Sequence, residues 1–199
     1  MAETRHKWTS GPSLETQFLL FECYDGHSYA TSGNVMFIVF AGLPGTGKST
    51  IARELARELG AIWLRVDSIE QAIRDSGVVR ESIDDAGYRA GYAVAVDNLR
   101  LGRTVVADSV NGWMLTRNAW REAGLQAGAP VIEIETVCSD LDEHRRRIED
   151  RPSEVQGLKL PTWNEVIARG YHPWDRDHII IDTAGRSVAE CVSLIRALL

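Results

Sequence analysis

The residues with the clearest chemistry in this sequence form the stretch GLPGTGKST, residues 42–50. It fits the spacing G-x-x-x-x-G-K-[ST], with Gly42, Gly47, Lys48 and Ser49 at the specified positions. Glycines at this spacing let successive backbone N–H groups converge on a phosphate, and a helix that follows points its positive end at the same anion. The lysine reaches the outer phosphates, and the serine hydroxyl is a ligand for Mg²⁺. The stretch therefore predicts a site for a nucleoside triphosphate with Mg²⁺.

We expect the nucleotide to be ATP, because the sequence contains no N-K-x-D motif with which GTP-specific proteins recognise guanine. A predicted strand ends in Asp108, which suits a carboxylate that supports Mg²⁺, although a capping contact with Asn111 fits the same position. Ser109 follows it where motor ATPases usually place a glutamate, so hydrolysis is not the favoured reaction. The predicted nucleotide contacts are Gly42, Leu43, Pro44, Gly45, Thr46, Gly47, Lys48, Ser49 and Thr50.

A second carboxylate, Asp67, stands between a predicted strand and the helix after it. Ligands of open α/β sheets bind in the crevice at this end of the strands. A carboxylate there can accept the proton of a hydroxyl group that attacks the γ-phosphate. Position alone fits a helix cap equally well, with Asp67 or Ser68 bonded to free N–H groups of the helix.

These side chains must be positioned by alternating strands and helices. Apolar, β-rich runs alternate with amphipathic segments from residue 35 onward, which predicts an α/β fold with a parallel sheet and helices on both faces. The predicted strands are 35–42, 61–66, 104–110, 131–137 and 178–182, and the predicted helices are 48–59, 68–76, 84–101 and 113–127, with two more that begin at capping boxes on Ser139 and Ser187.

Two stretches fall outside this alternation. Residues 1–34 mix polar, glycine and aromatic residues without a sustained period, and we interpret them as a peripheral extension of a domain over 35–199. Residues 152–177 contain three prolines and two tryptophans between a helix and the last strand. A stretch of that length in a compact domain usually has a function, so it is predicted to be a lid.

The combination of GLPGTGKST, VDS after the second strand and VVADSVN at the third resembles the small P-loop kinases, which include chloramphenicol phosphotransferase, zeta-toxin and polynucleotide kinases. The resemblance covers roughly residues 36–199 in motif order. It implies a three-layer α/β/α P-loop NTPase fold whose five parallel strands have the order 2-3-1-4-5. It also implies that Asp67 is the general base that acts on the acceptor hydroxyl.

The resemblance extends to arginines. The segment DEHRRRIEDR carries Arg147 and Arg151 four residues apart, where related kinases bring lid arginines to the transferring phosphate. A solvated helix face with ion pairs to neighbouring acidic residues is the alternative. Glu70 occupies a position at which polynucleotide kinases have an arginine, and Arg74 is the candidate substitute. Relatives often have an arginine at the position of Arg117 that faces the acceptor pocket, although exposure at the surface fits this position equally well. Arg74 and Arg117 are therefore candidate substrate contacts.

Composition limits the partners. The chain of 199 residues carries 22 Lys and Arg against 28 Asp and Glu, a net charge of -6. A surface of that sign repels nucleic acid and anionic lipid, so an anionic ligand needs a local basic site. The sequence has no apolar run long enough to span a bilayer, and its three cysteines form no C-x-x-C pair. We therefore expect a cytoplasmic protein that does not act on membranes.

The predicted function is ATP-dependent and Mg²⁺-dependent transfer of a phosphate to a hydroxyl of a small molecule, with Lys48, Asp67, Arg147 and Arg151 as catalytic residues and Ser49 and Asp108 as the metal residues. Two alternative functions stay open. The first is a kinase whose acceptor is a polynucleotide 5′-hydroxyl or a nucleotide sugar. The second is a non-catalytic sensor in which ATP binding orders the lid.

Overall fold

The computed structural model describes residues 35–79 and 82–199, so the extension predicted over residues 1–34 lies outside the described residues. Its centre is a sheet of five parallel strands in the order β2-β3-β1-β4-β5. This confirms the predicted α/β fold and strand order. None of the helices in the two described stretches is long and apolar enough to cross a membrane.

The elements follow one another along the chain as alternating strands and helices, with one extra helix between β2 and β3 and another between β4 and β5. The strands are β1 (Phe37–Ala41), β2 (Ile62–Arg65), β3 (Val105–Asp108), β4 (Val131–Val137) and β5 (Ile179–Asp182). The helices are α1 (Lys48–Leu59), α2 (Val66–Asp75), α3 (Ala86–Arg100), α4 (Met114–Gln126), α5 (Leu141–Asp150), α6 (Trp163–Ile167) and α7 (Val188–Arg196).

The sheet is covered on both faces because its central strand is apolar on both. Phe37 of β1 packs into a cluster with residues of α3 and α4, and the ring centroid of Trp120 lies 5.7 Å from that of Phe37. The neighbouring Ile38 points to the other face, into a cluster with residues of α1 and α7. Side chains of successive strand residues alternate in this way, so a strand buried on both faces is a continuous apolar run.

The helix starts differ in part from the predicted ones. The capping box of Ser187 and Glu190 is confirmed at the start of α7. The box predicted on Ser139 is wrong, because Asp140 is the N-cap of α5 and its side chain accepts a hydrogen bond from the N–H group of Glu143. The proposed cap role of Asp67 or Ser68 is also wrong: the N-cap of α2 is Arg65, and Asp67 lies inside the first turn.

All five strands are parallel, so their carboxyl ends meet at one edge of the sheet. The loop before α1, the first turn of α2 and the residues after β3 all leave the sheet at that edge. Crevices at this edge are where open α/β sheets bind ligands. The predicted phosphate, metal and base positions therefore come from different parts of the chain to the same side of the molecule.

Candidate active site

The loop between β1 and α1 has the backbone that a phosphate clamp needs. Gly42, Gly45 and Gly47 have φ angles of 141°, 86° and 83°, a region that residues with a side chain rarely adopt. A Cβ atom on Gly45 would also lie 2.5 Å from Cδ1 of Ile148. Gly47 is the N-cap of α1, so the free N–H groups of the helix start open onto the loop.

Side chains outside the loop hold its carbonyl groups. Nε2 of His144 lies 2.8 Å from the carbonyl oxygen of Pro44, and Oγ1 of Thr183 donates to the carbonyl of Thr46 at 3.0 Å. Within the loop itself, Oγ1 of Thr46 donates to the carbonyl of Leu43 at 2.9 Å. A loop can turn its N–H groups inward only if its carbonyls turn outward and find donors. His144 and Thr183 therefore brace the clamp from behind, although neither had a predicted role.

We expect His144→Phe to weaken ATP binding by about tenfold, because it keeps a buried ring but removes the donor to the carbonyl of Pro44. The substituted phenyl ring would also keep the edge contact with Trp163, whose ring centroid lies 5.2 Å from that of His144. Titration calorimetry with ATP measures the change.

His144→Gln is the matched control, since a glutamine amide also donates and should restore most of the affinity. Equal ATP affinity in wild type and His144→Phe would contradict the bracing role.

Asp108 is placed directly behind the loop. Its side chain is 1% exposed, and its Oδ1 accepts hydrogen bonds from Nζ of Lys48 at 3.0 Å and from Oγ of Ser49 at 3.2 Å. The other oxygen, Oδ2, is buried and has no hydrogen-bond partner in the part of the chain that the structure describes. Oxygen donors of this kind suit Mg²⁺, which commonly takes few protein ligands together with phosphate oxygens and water. No group of three or more His, Cys, Asp or Glu in residues 35–79 and 82–199 forms a metal site by itself.

A cavity of about 930 Å³ opens at the same edge and extends from the phosphate loop to α2. Its wall includes both the loop and the first turn of α2, so the base candidate and the phosphate clamp share one space. The predicted residues that line the cavity include Lys48, Ser49, Asp67, Arg74, Arg147 and Arg151.

The two arginines predicted as a pair have different environments. Arg147 is held by three hydrogen bonds, from Nη1 to Oγ1 of Thr183 at 2.8 Å, from Nη2 to the Thr183 carbonyl at 2.9 Å and from Nη2 to Glu143 at 2.6 Å. Arg151 lies one residue beyond α5, and its buried Nε has no partner among the described residues. Burial lowers the pKa of Arg151, and its side chain lines the same cavity as Asp67.

Arg65 is a cavity residue without a predicted role. Its Nε lies 4.0 Å from Oδ2 of Asp108, and its Nη1 donates to Glu154 at 3.0 Å. Glu154 also pairs with Arg53 at 3.3 Å. These contacts tie the start of the 152–177 stretch to β2 and α1. The signal in the sequence was its place two residues before Asp67, at the end of a strand.

Arg117 is not brought to the cavity. Its side chain is fully buried, and its three guanidinium nitrogens donate to the carbonyls of Asn111, His172 and Pro173 at 3.0, 2.9 and 3.2 Å. The guanidinium also lies 4.0 Å from the ring centroid of Trp174. Arg117 therefore clamps the end of the 152–177 stretch to the loop after β3, and its placement gives it no contact with an acceptor.

We expect Arg117→Met to lower the free energy of unfolding by about 3 kcal/mol or more, because three carbonyls from two separate parts of the chain lose their fully buried donor. Urea unfolding measures it. The control is Arg121→Met, one turn further along α4, where a half-exposed arginine lies 3.7 Å from Glu133. That change should cost less than about 1 kcal/mol. Similar losses in both variants would contradict the clamp.

The fold and the phosphate loop together are those of a P-loop kinase-like protein. Residues 37–169 match the family AAA_33, described as an AAA domain. The chain belongs to this family. Its membership confirms the resemblance to small P-loop kinases that the motifs indicated.

Individual relatives are more distant. The protein Rv2004c of Mycobacterium tuberculosis is 29% identical in an alignment of 178 residues, which covers 82% of this chain and 35% of that protein. This chain thus spans about a third of the length of the first curated relatives that it matches. Shikimate kinase of Frankia casuarinae is 29% identical in an alignment of 174 residues, which covers 81% of this chain and 72% of the relative.

The solved structure of Mycobacterium tuberculosis APS kinase with AMPPNP and APS superposes with a TM-score of 0.61, at 19% identity. The superposition covers 83% of this chain and 97% of that one. At this identity the likeness is one of fold.

Proposed function

We propose that this chain is a kinase that transfers the γ-phosphate of ATP to a hydroxyl group of a small molecule. The observation that carries the proposal is one cavity lined by both Lys48 of the phosphate loop and Asp67 of α2. Similarity to shikimate kinase, whose name states the same class of reaction, supports it. The shared fold with APS kinase, solved with a nucleotide and an acceptor, is consistent with it.

In the proposed reaction, Lys48 and the N–H groups of the loop hold the phosphates. Mg²⁺, which Ser49 would hold with Asp108 behind it, would neutralise charge on the outer phosphates. The acceptor oxygen attacks the γ-phosphorus, the bond from that phosphorus to the β-phosphate oxygen breaks, and ADP leaves with the electron pair. Asp67 accepts the proton of the hydroxyl as the new bond forms. Arg151 faces the developing negative charge on the transferred group.

The lid is proposed to be shorter than the predicted 152–177 stretch. Residues 157–161 line the cavity, and Glu154 is tied to it by the exposed pair with Arg53 and the pair with Arg65. The end of the stretch is anchored instead, because Arg176 donates to Glu133 at 2.7 and 2.8 Å and Arg117 holds the two residues before Trp174. A half-exposed ion pair costs little to break, so the part near Glu154 is the part that can open.

The test is incubation of the protein with γ-labelled ATP and a small-molecule extract, followed by separation of the products. Transfer of label to a compound other than ADP or free phosphate is the expected result. The same incubation with Asp67→Asn separates catalysed transfer from contaminating activity. Release of free phosphate as the sole product in wild type would contradict the proposal.

A further inference from the structure

The cavity carries more positive charge than a nucleotide requires. Nine Lys or Arg and only four Asp or Glu line it. Two of the cations, Lys48 and Arg147, pair with Asp108 and Glu143 just outside the lining, so the local excess is three positive charges in a chain whose net charge is -6. Bound Mg²⁺ would cancel part of the charge of the triphosphate, so ATP accounts for only part of this excess. Cavities of one sign concentrate ligands of the other sign. A second anionic group is therefore expected in the cavity.

The excess includes charge at the α2 end, away from the phosphate loop. Asp67, Glu70 and Arg74 of α2 line the cavity together with Arg169. Burial raises the pKa of Glu70, and the positive charges of Arg74 and Arg169 act against that rise. Nη2 of Arg74 donates to Glu70 at 3.3 Å. Asp67 is the proposed base, so the same region must receive the acceptor hydroxyl.

The single negative charge of Glu70 does not neutralise both Arg74 and Arg169. Its Cγ lies only 2.3 Å from the point that a Cβ atom on Gly87 would occupy, so its side chain packs closely against α3. Burial raises the pKa of Glu70, and its one carboxylate is bonded to Arg74. Arg169 has no salt-bridge partner in residues 35–79 and 82–199. Glu165, the other carboxylate on which Arg169 acts, accepts hydrogen bonds from the N–H and hydroxyl groups of Thr162.

Other charged side chains of this part of the cavity offset one another. Asp67 and Arg151 line it with opposite charges, and Glu70 pairs with Arg74 at 3.3 Å. This leaves Arg169 as an exposed guanidinium that lines the same cavity as the proposed base. A guanidinium presents parallel N–H groups that match the two oxygens of a carboxylate or phosphate.

We propose that the acceptor is itself an anion, which carries a carboxylate or phosphate group bound by Arg169 with help from Arg74, while its hydroxyl faces Asp67. This rests on the proposed kinase function and narrows its substrate class. Neutral polyols and neutral sugars are then poor substrates, because they offer no counter-charge to the guanidinium of Arg169.

The experiment divides a small-molecule extract on an anion-exchange column into an unretained and a retained fraction. Each is incubated with the protein and γ-labelled ATP. Label should pass only to a compound in the retained fraction. An acceptor in the unretained fraction would overturn this inference and leave the kinase function intact. No transfer with either fraction would contradict the kinase function, and the inference would fall with it.

Phosphatase treatment of the retained fraction, with the enzyme removed before the assay, distinguishes the two anionic groups. Loss of the acceptor identifies a phosphate group, and survival identifies a carboxylate.

Arg169→Gln tests the residue assignment on the acceptor so found. It should raise the acceptor KM by about tenfold or more, with kcat and the ATP KM close to wild type, because the change removes ground-state binding alone. Arg89→Gln removes an equal charge from α3, where a 76% exposed side chain pairs with Asp85 outside the cavity, and should change nothing. An unchanged acceptor KM in Arg169→Gln would overturn the assignment.

Discussion

Asp67→Asn is expected to lower kcat for phosphoryl transfer by about 10²- to 10⁴-fold and to leave ATP affinity unchanged. The amide has nearly the same shape as the carboxylate, but it does not accept a proton from the attacking hydroxyl. We expect ATP binding to depend instead on the loop, on Lys48 and on Asp108, whose Oδ1 accepts hydrogen bonds from Lys48 and Ser49. Rapid-quench transfer assays and ATP titration calorimetry measure the two quantities separately.

The control is Asp97→Asn, which removes a carboxylate from an exposed position of α3 away from the cavity. It should leave both quantities at wild-type values. A non-catalytic sensor would respond to neither substitution, because it requires only that ATP be bound. If Asp67→Asn and wild type transfer phosphate at the same rate, Asp67 is not the base and the carboxylate must be found elsewhere in the cavity.

Local sequence patterns were sufficient to predict the alternating strands and helices and the phosphate-binding loop. The strand runs 35–42 and 131–137 are apolar or alternate over their whole length, and the loop glycines have a spacing that few other structures use. Strand order did not follow from these patterns. It came from the resemblance to P-loop kinases, because several orders of a parallel sheet bury the same apolar residues.

Contacts between distant residues could not be predicted in this way. His144 and Pro44 are 100 residues apart, and Thr183 and Thr46 are 137 apart, so no local pattern indicates either brace. A lone histidine in a basic helix is most simply a surface residue. Arg117 was predicted to contact the acceptor because relatives have an arginine there. The structure instead buries it against the carbonyls of residues 172 and 173, which are more than 50 residues away in the sequence.

The prediction of one shared role for Arg147 and Arg151 was limited in the same way, because it rested on local spacing alone. Their spacing of four residues predicts one helix face, and both do line the cavity. The helix ends at Asp150, however, so Arg151 has an extended backbone with a ψ angle of 134° and leaves the helix surface. Arg147 meets the carbonyl of Thr183 beyond β5, a partner that only the folded sheet supplies. The two side chains therefore have different surroundings, and we expect them to have different roles.

Arg151→Ala is expected to lower kcat by about 10³-fold with little change in ATP affinity. Arg151 has a buried Nε without a partner among the described residues and lines the same cavity as Asp67, so in the proposed reaction its guanidinium faces the charge that develops on the transferred group. Arg147→Ala should instead weaken ATP binding, because it loosens Thr183, whose hydroxyl holds the carbonyl of Thr46 in the loop. The measurement is a comparison of single-turnover rates at saturating ATP with ATP dissociation constants.

Arg145→Ala is the matched control, because Arg145 lies on the same helix, is 59% exposed and pairs with Glu149 at 2.8 Å. It should resemble wild type in both quantities, since an exposed pair one turn apart contributes little. The decisive result is that Arg151→Ala lowers the single-turnover rate whereas Arg147→Ala weakens ATP binding. If Arg151→Ala loses ATP affinity in proportion to turnover, then Arg151 supports the shape of the cavity, and the charge on the transferred group must be stabilised by Lys48 and Arg65 instead.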